Sequence, residues 1–203
     1  MLSDWPGEFR DRHGVRAAVV RSDGGSLEVV LGGIPHRGDS FGSLLPELQE
    51  GELTYSQDLP VTVAGRDDIL PVLVTVELGR RVDGRWDRIG VRLASAHGVS
   101  SRSWPEFELA LAELARQVPA GVEIATCVSC GLSDYWPGAS RGLFGGLGCF
   151  RDNVSGYLAV RDKDDLLEIW DTNSGWVQET FRCHRFRRRA PGAGFRGGFP
   201  DHD

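Results

Sequence analysis

The sequence predicts an α+β protein: a β-rich antiparallel sheet or sandwich with one main helix, followed by a smaller C-terminal subdomain. Three observations predict this. Short apolar runs separated by turn residues recur through the first half of the chain. A single segment, 103–118, carries strong helical periodicity. All four cysteines lie between residues 127 and 183, so the last third has a chemistry that the rest lacks. The division that follows is a β-rich domain over 1–126, which includes the helix, and a subdomain over 127–203.

Residues 15–21 and 26–31 flank Asp23-Gly24-Gly25, a turn of hairpin composition. Residues 32–58 show no sustained period and contain several Gly, Pro and Ser, so they read as an irregular excursion with a short strand near Leu53. Segments 60–63, 73–78 and 88–93 read as further strands, the last preceded by an Asp83-Gly84 turn. In the helix, Ser103 is placed to cap and Glu106 to complete a capping box. Pro105 falls in the first turn, where a missing N–H costs nothing. Phe107, Leu111, Leu114, Ala115 and Val118 share one face, which is expected to pack on the sheet. Pro119 and Gly121 end the helix. Beyond it, 122–126 reads as a strand that delivers Cys127. Residues 157–160 read as a strand, 164–170 as a short helix and 176–183 as a last strand.

The net charge is -6, and it is unevenly spread. Residues 1–126 carry 19 acidic and 13 basic side chains, whereas 127–203 carry 10 of each. Such a chain has no global electrostatic footprint for nucleic acid. No apolar run approaches the ~18 residues of a membrane helix. The polar start lacks a signal-peptide core. The expected setting is cytoplasmic, with no membrane partner.

Disulfides are rare in that setting, so clustered cysteines point to metal or redox chemistry. Cys127-Val128-Ser129-Cys130-Gly131 can grip one metal from a tight turn, with backbone N–H groups directed at the thiolates and Gly131 free to take a positive φ. Cys149 and Cys183 supply two more sulfurs, which completes a tetrahedral set for zinc. Their spacing is not that of a second C-x2-C, so the pair is specific and the set of four is inferred. Four free thiols and a redox C-x-x-C are the competing readings; the latter wants a thioredoxin-like βαβ setting that is not evident. His184 stands beside Cys183 and competes for the fourth position. Four thiolates leave no place for water, so the zinc is expected to be structural, a staple for the C-terminal subdomain. The catalytic alternative would use three cysteines and a water.

Outside the metal, Asp134 and Tyr135 follow the first cysteine pair and Glu179 lies on the segment leading to Cys183. With His184 these are the candidate catalytic side chains, each with a plain structural alternative as a turn or packing residue. The run 142–148 is glycine-rich but has neither a G-K-[ST] ending nor a dinucleotide fingerprint. Arg185, Arg187, Arg188 and Arg189 form a basic cluster that either holds phosphates or pairs with the excess acids of 1–126.

The motifs at 127–135 (CVSCGLSDY), 144–151 (FGGLGCFR), 177–183 (VQETFRC) and 191–197 (PGAGFRG) resemble an uncharacterised, largely actinobacterial family of unknown function. The resemblance is strong over about 105–197 and weaker before it. The chain departs from that pattern at His184, where a proline often stands, and at Phe195, where a tyrosine does. The resemblance implies that the four cysteines act as one set and that the 191–197 segment belongs to the fold. It implies no activity. The expected function is a zinc-stabilised binding or accessory protein with a small-molecule or protein partner. An enzyme of bacterial specialised metabolism, with its site beside the zinc, is the alternative, and a nucleic-acid binder the third reading.

Overall fold

A computed structural model of the chain describes residues 3–44, 50–82, 85–86, 89–99, 102–136, 145–190 and 196–200. The chain opens with four strands joined by tight hairpins: β1 (Ser3–Asp11), β2 (Gly14–Ser22), β3 (Leu27–Leu31) and β4 (Ile34–Gly38). Two long strands follow, β5 (Gly51–Val63) and β6 (Arg66–Leu78). Next come the two-residue strands β7 (Arg81–Val82) and β8 (Arg85–Trp86), then β9 (Ile89–Ser95) and β10 (Gly98–Val99). Helix α1 (Phe107–Ala115) and strand β11 (Val122–Ile124) complete the first part.

The main sheet runs β10-β9-β6-β5-β1-β2-β3-β4, with β11 also on β5, and its ladders are antiparallel. Burial alternates along its strands, as expected when one face meets a core and the other meets water. The inner face carries Val20, Val29, Leu53, Tyr55, Val74 and Val91. Phe107, Leu111 and Leu114 of α1 close over it, with Phe41 stacked on Phe107. The apolar stripe read from the sequence is therefore core.

The remaining elements are short: β12 (Ser133–Tyr135), β13 (Leu147–Cys149), α2 (Val154–Ala159), α3 (Lys163–Ile169) and β14 (Trp176–Val177). Strands β12, β13 and β14 make a separate three-stranded antiparallel sheet. Phe150, Tyr157, Leu166 and Trp170 form a small aromatic-rich core beside it. Gly148 is required there, because a Cβ would stand 2.8 Å from the Trp170 ring.

Several sequence expectations need correction. Residues 32–58 are more regular than expected: they hold β4, and the strand near Leu53 is part of the long β5, which runs on through 60–63. Strand β5 alternates Leu53, Tyr55, Gln57, Leu59 and Val61 inward, but buried Gln57 and the proline at 60 obscure the pattern. The capping box does not form. Trp104 pairs with Val91 instead, and the helix begins only after Glu106, which makes no side-chain cap. Residues 157–160 lie mostly in helix α2, capped by the Asn153 side chain. The last strand stops at Val177 because the chain turns back through a Phe181 N–H to Gln178 carbonyl bond. The Asp83-Gly84 turn lies outside the described residues.

Gly7 marks where β1 crosses closest to β5: a Cβ there would stand 2.2 Å from the Thr54 carbonyl oxygen and 2.7 Å from the Tyr55 Cβ. The neighbours are backbone and cannot swing away. Gly7→Ala is therefore expected to destabilise the fold by about 1–3 kcal/mol, the usual range for overpacking, measured by urea denaturation. No loss would show that β1 can shift freely on β5.

Candidate functional site

The first cysteine pair sits on a 3-10 turn, Cys127–Ser129, fixed by the Ser129 hydroxyl, which accepts from the Thr126 N–H and donates to the Ile124 carbonyl. The C-terminal segment is laced across this turn. Cys127 and Val128 N–H donate to the carbonyls of Phe181 and Glu179, Gly131 N–H donates to Arg187, and Arg189 N–H donates back to Ser129. This lacing carries Cys183 to the same region. Cys149 arrives through the β12–β13 ladder, where it faces Ser133. Gly131 does not adopt the positive φ expected of it. Its place is set by the close backbone of 187–189.

Cys127, Cys130 and Cys149 are buried, Cys183 is partly exposed, and none forms a disulfide. Burial pushes the Cys127 thiol well up, and the charges that Cys130, Cys149 and Cys183 would carry push it further. Burial also raises Cys130 and Cys149, while backbone N–H groups act the other way: Arg187 and Leu132 donate to Cys130, and Arg151 to Cys149. In two cases the donor lies two residues after the sulfur, the arrangement a metal-gripping turn uses. Among the described residues, no group of three or more Cys, His, Asp or Glu side chains stands in an arrangement that could hold a metal ion.

Beside the cysteines lies a buried polar network. The Tyr157 hydroxyl is 3.1 Å from Oδ2 of Asp134 and 2.9 Å from the Ser133 carbonyl, while the Tyr135 N–H donates to Oδ1 of Asp134. The Tyr135 hydroxyl donates to Oε1 of Glu179 at 3.2 Å, and Gly145 N–H donates to Oε2 at 2.7 Å. Arg196 lies over the Tyr135 ring and pairs with Glu108 of α1. Arg189 donates to the carbonyls of Cys130 and Ser133.

The electrostatics follow from burial. Glu179 is 0% exposed, and desolvation raises its carboxyl to about 7 against the hydrogen bonds it accepts. Desolvation raises Asp134 too, opposed by Arg196 and Arg189. Arg189 is lowered to about 10 by burial and by Arg196. Arg196 is drawn down by burial, but Glu108, Tyr135 and Asp134 outweigh that and hold it above its ordinary value. A carboxyl raised toward neutrality is a candidate proton carrier, but burial and Glu179 push the facing Tyr135 phenol well above its ordinary value, so the phenol keeps its proton and serves as a hydrogen-bond donor. Here both Glu179 oxygens already accept from protein groups.

Of the four candidate catalytic residues, Asp134, Tyr135 and Glu179 come together. His184 does not, and is exposed. The arginine cluster divides. Arg185 pairs with Asp152 and Arg188 with Glu123, while Arg189 turns inward. Arg188–Glu123 and Arg182–Asp67 are pairings of the tail with the acidic first part. Sequence reasoning missed Glu108, Tyr157 and Arg196. The available signals were a carboxylate beside the apolar stripe of α1 and the arginine of the 191–197 motif, most of which lies outside the described residues.

Residues 3–133 match the model of a family of unknown function, DUF6304. The chain belongs to that family. The match covers the β-rich sheet, α1 and the Cys127–Cys130 turn, and ends before Cys149 and Cys183. It thus lies largely where the motif resemblance is weaker. No curated protein matches the chain, and no solved structure does. Among the described residues, no helix is long and apolar enough to cross a membrane.

Two outcomes test the network. Arg196→Met leaves Glu108 buried without this cation and is expected to cost about 3–5 kcal/mol in urea denaturation. A loss under about 1 kcal/mol would mean that the pair is solvated. For Glu179, the folded chain holds its proton more tightly than the unfolded chain. This contribution is full below the ordinary value of 4.5 and lost as pH rises through about 7. Glu179→Gln should therefore flatten the fall in stability between about pH 5 and about pH 8, by on the order of 3 kcal/mol. Parallel stability–pH curves for the two proteins would contradict it.

Proposed function

We propose that Cys127, Cys130, Cys149 and Cys183 bind one structural zinc ion, and that the chain is a zinc-stabilised cytoplasmic binding or accessory protein. The observation that carries this reading is the lacing of 179–189 across 126–131, which brings Cys183 to the first pair, while the β12–β13 ladder delivers Cys149; the charges those three sulfurs would carry all act on Cys127. Donation of backbone N–H groups to Cys130 and Cys149 supports it, because such donors favour the thiolate. Binding would convert buried neutral thiols to thiolates and release protons, replacing the desolvation cost with metal–sulfur bonds. Four thiolates close the coordination sphere, so the ion would supply stability and leave chemistry to other residues. With His184 exposed, sulfur is the better fourth ligand.

A second reading rests on the buried Tyr135–Glu179 pair beside Asp134, Arg189 and Arg196: an enzyme of bacterial specialised metabolism with its active site next to the metal. It requires an opening to those side chains, and the hollows found among the described residues are lined by others.

Elemental analysis of the purified chain tests the first reading. About one zinc per chain is expected, retained in His184→Ala and lost in Cys183→Ser, with chelation lowering the melting temperature. Retention in Cys183→Ser and loss in His184→Ala would assign the fourth position to histidine. A metal-free chain that folds fully would overturn the proposal.

A further inference from the structure

The main sheet has a wedge in its middle. Strand β1 pairs with β5 only from Asp11↔Gly51 to Gly7↔Tyr55. Beyond Gly7, β1 continues to Ser3 on β2 alone. Strand β5 runs on to Val63 and regains a partner on that side only where β11 pairs with Val61–Val63 and Ala125 N–H reaches the Pro60 carbonyl. Residues 56–59 of β5 are thus left without a ladder neighbour on one edge, inside a sheet.

Two hollows border the wedge, of about 510 Å³ and about 330 Å³. They share Asp4, Trp5, Gln57 and Asp58. We propose that this wedge is a binding site for a small ligand carrying a protonated primary amine beside a flat apolar group.

Three observations define that class. The first is charge. Asp4, Asp23 and Asp58 surround the smaller hollow. Its lining cation, Arg182, is already committed to Asp67 at 2.7 Å. Asp4 is paired with Arg21, and Asp23 accepts from the Gly25 and Ser26 N–H groups. Asp58 is exposed and has no hydrogen-bond or ion-pair partner among the described residues, so its charge is available to a ligand cation.

The second is a buried polar atom. Gln57 is 3% exposed; its Nε2 donates to Thr180 Oγ1 at 2.7 Å, and its Oε1 has no partner. The threonine hydroxyl can donate as well as accept, so one end of the amide stays unpaired whichever way it is turned. An unpaired buried amide is costly, and a ligand or water that reaches it recovers that cost. The third is shape. Trp5 stacks on Tyr55, and Pro71 and Leu73 line the larger hollow, giving flat apolar walls next to the carboxylates. An ammonium at Asp58 with an aromatic group against Trp5 uses both.

The inference deepens the binding-protein reading and does not depend on the metal. The probe is 2-phenylethylamine, titrated into the 15N-labelled full-length chain and followed by NMR, with 2-phenylethanol and phenylacetate as matched neutral and anionic arms. Saturable shifts are expected for the amine at Trp5, Gln57 and Asp58, and not for the other two. Asp58→Asn, an exposed and unpartnered site, should weaken amine binding about tenfold while leaving the free spectrum unchanged elsewhere. No saturable shift, equal responses to amine and alcohol, shifts mapping outside the wedge, or wild-type affinity in Asp58→Asn would each overturn the inference. Zinc content measured on the same samples separates the two proposals. A zinc-loaded chain with no amine response sinks this one alone, and an amine-binding chain without zinc sinks the metal alone.

Discussion

The rest of the C-terminal third depends on one set of hydrogen bonds, those that tie 179–189 to 126–131. Short segments with little apolar content do not hold a shape by burial alone. Here the backbone supplies the specification. Cys127, Val128 and Gly131 donate outward from a 3-10 turn, and Arg189 donates back. That exchange fixes where Glu179 and Cys183 come to rest. It also explains why the segment is not an extended strand: its carbonyls are spent on a turn and not on a neighbouring ladder.

The same lacing delivers charged groups into the interior. Glu108 from α1, Asp134 from β12, Glu179, Arg189 and Arg196 come from widely separated places in the sequence and are all buried. Such groups are expensive to desolvate, and their pairing offsets the cost without guaranteeing a net gain. Their effect is to fix one arrangement. Arg196 reaches both Glu108 and the Tyr135 ring, so the helix and the small sheet can be joined in only one register. The network thus ties α1, which lies on the family's shared β-rich part, to the segment that follows it.

Legibility in the sequence tracked the range of the interactions. The hairpin at Asp23-Gly24-Gly25, the apolar run at 73–78 within β6 and the stripe of α1 are local patterns, and they were readable. Strand β5 was readable only in pieces, near Leu53 and at 60–63, because its inward position 57 is a glutamine whose partner, Thr180, is 123 residues away. Ser103 and Glu106 had the pattern of a capping box, but tertiary pairing of Trp104 with Val91 overrode it. Tyr157 has strong strand propensity, yet it sits in a helix so that its ring can stack on Phe150 and its hydroxyl can reach Asp134. The candidates Asp134, Tyr135 and Glu179 were found because they flank the cysteine motifs. Glu108 and Arg196 were not, since nothing local announces a buried ion pair that closes over 88 residues. His184 was legible only as a neighbour of Cys183, and it is exposed, outside the buried network of Asp134, Tyr135 and Glu179.

The account stands on the four cysteines closing around one ion. Zinc K-edge X-ray absorption on the purified, undenatured chain reads that directly. The account predicts a first shell of four sulfurs at about 2.3 Å with no light-atom ligand. A shell containing nitrogen or oxygen, or a folded chain with no zinc edge, would contradict it.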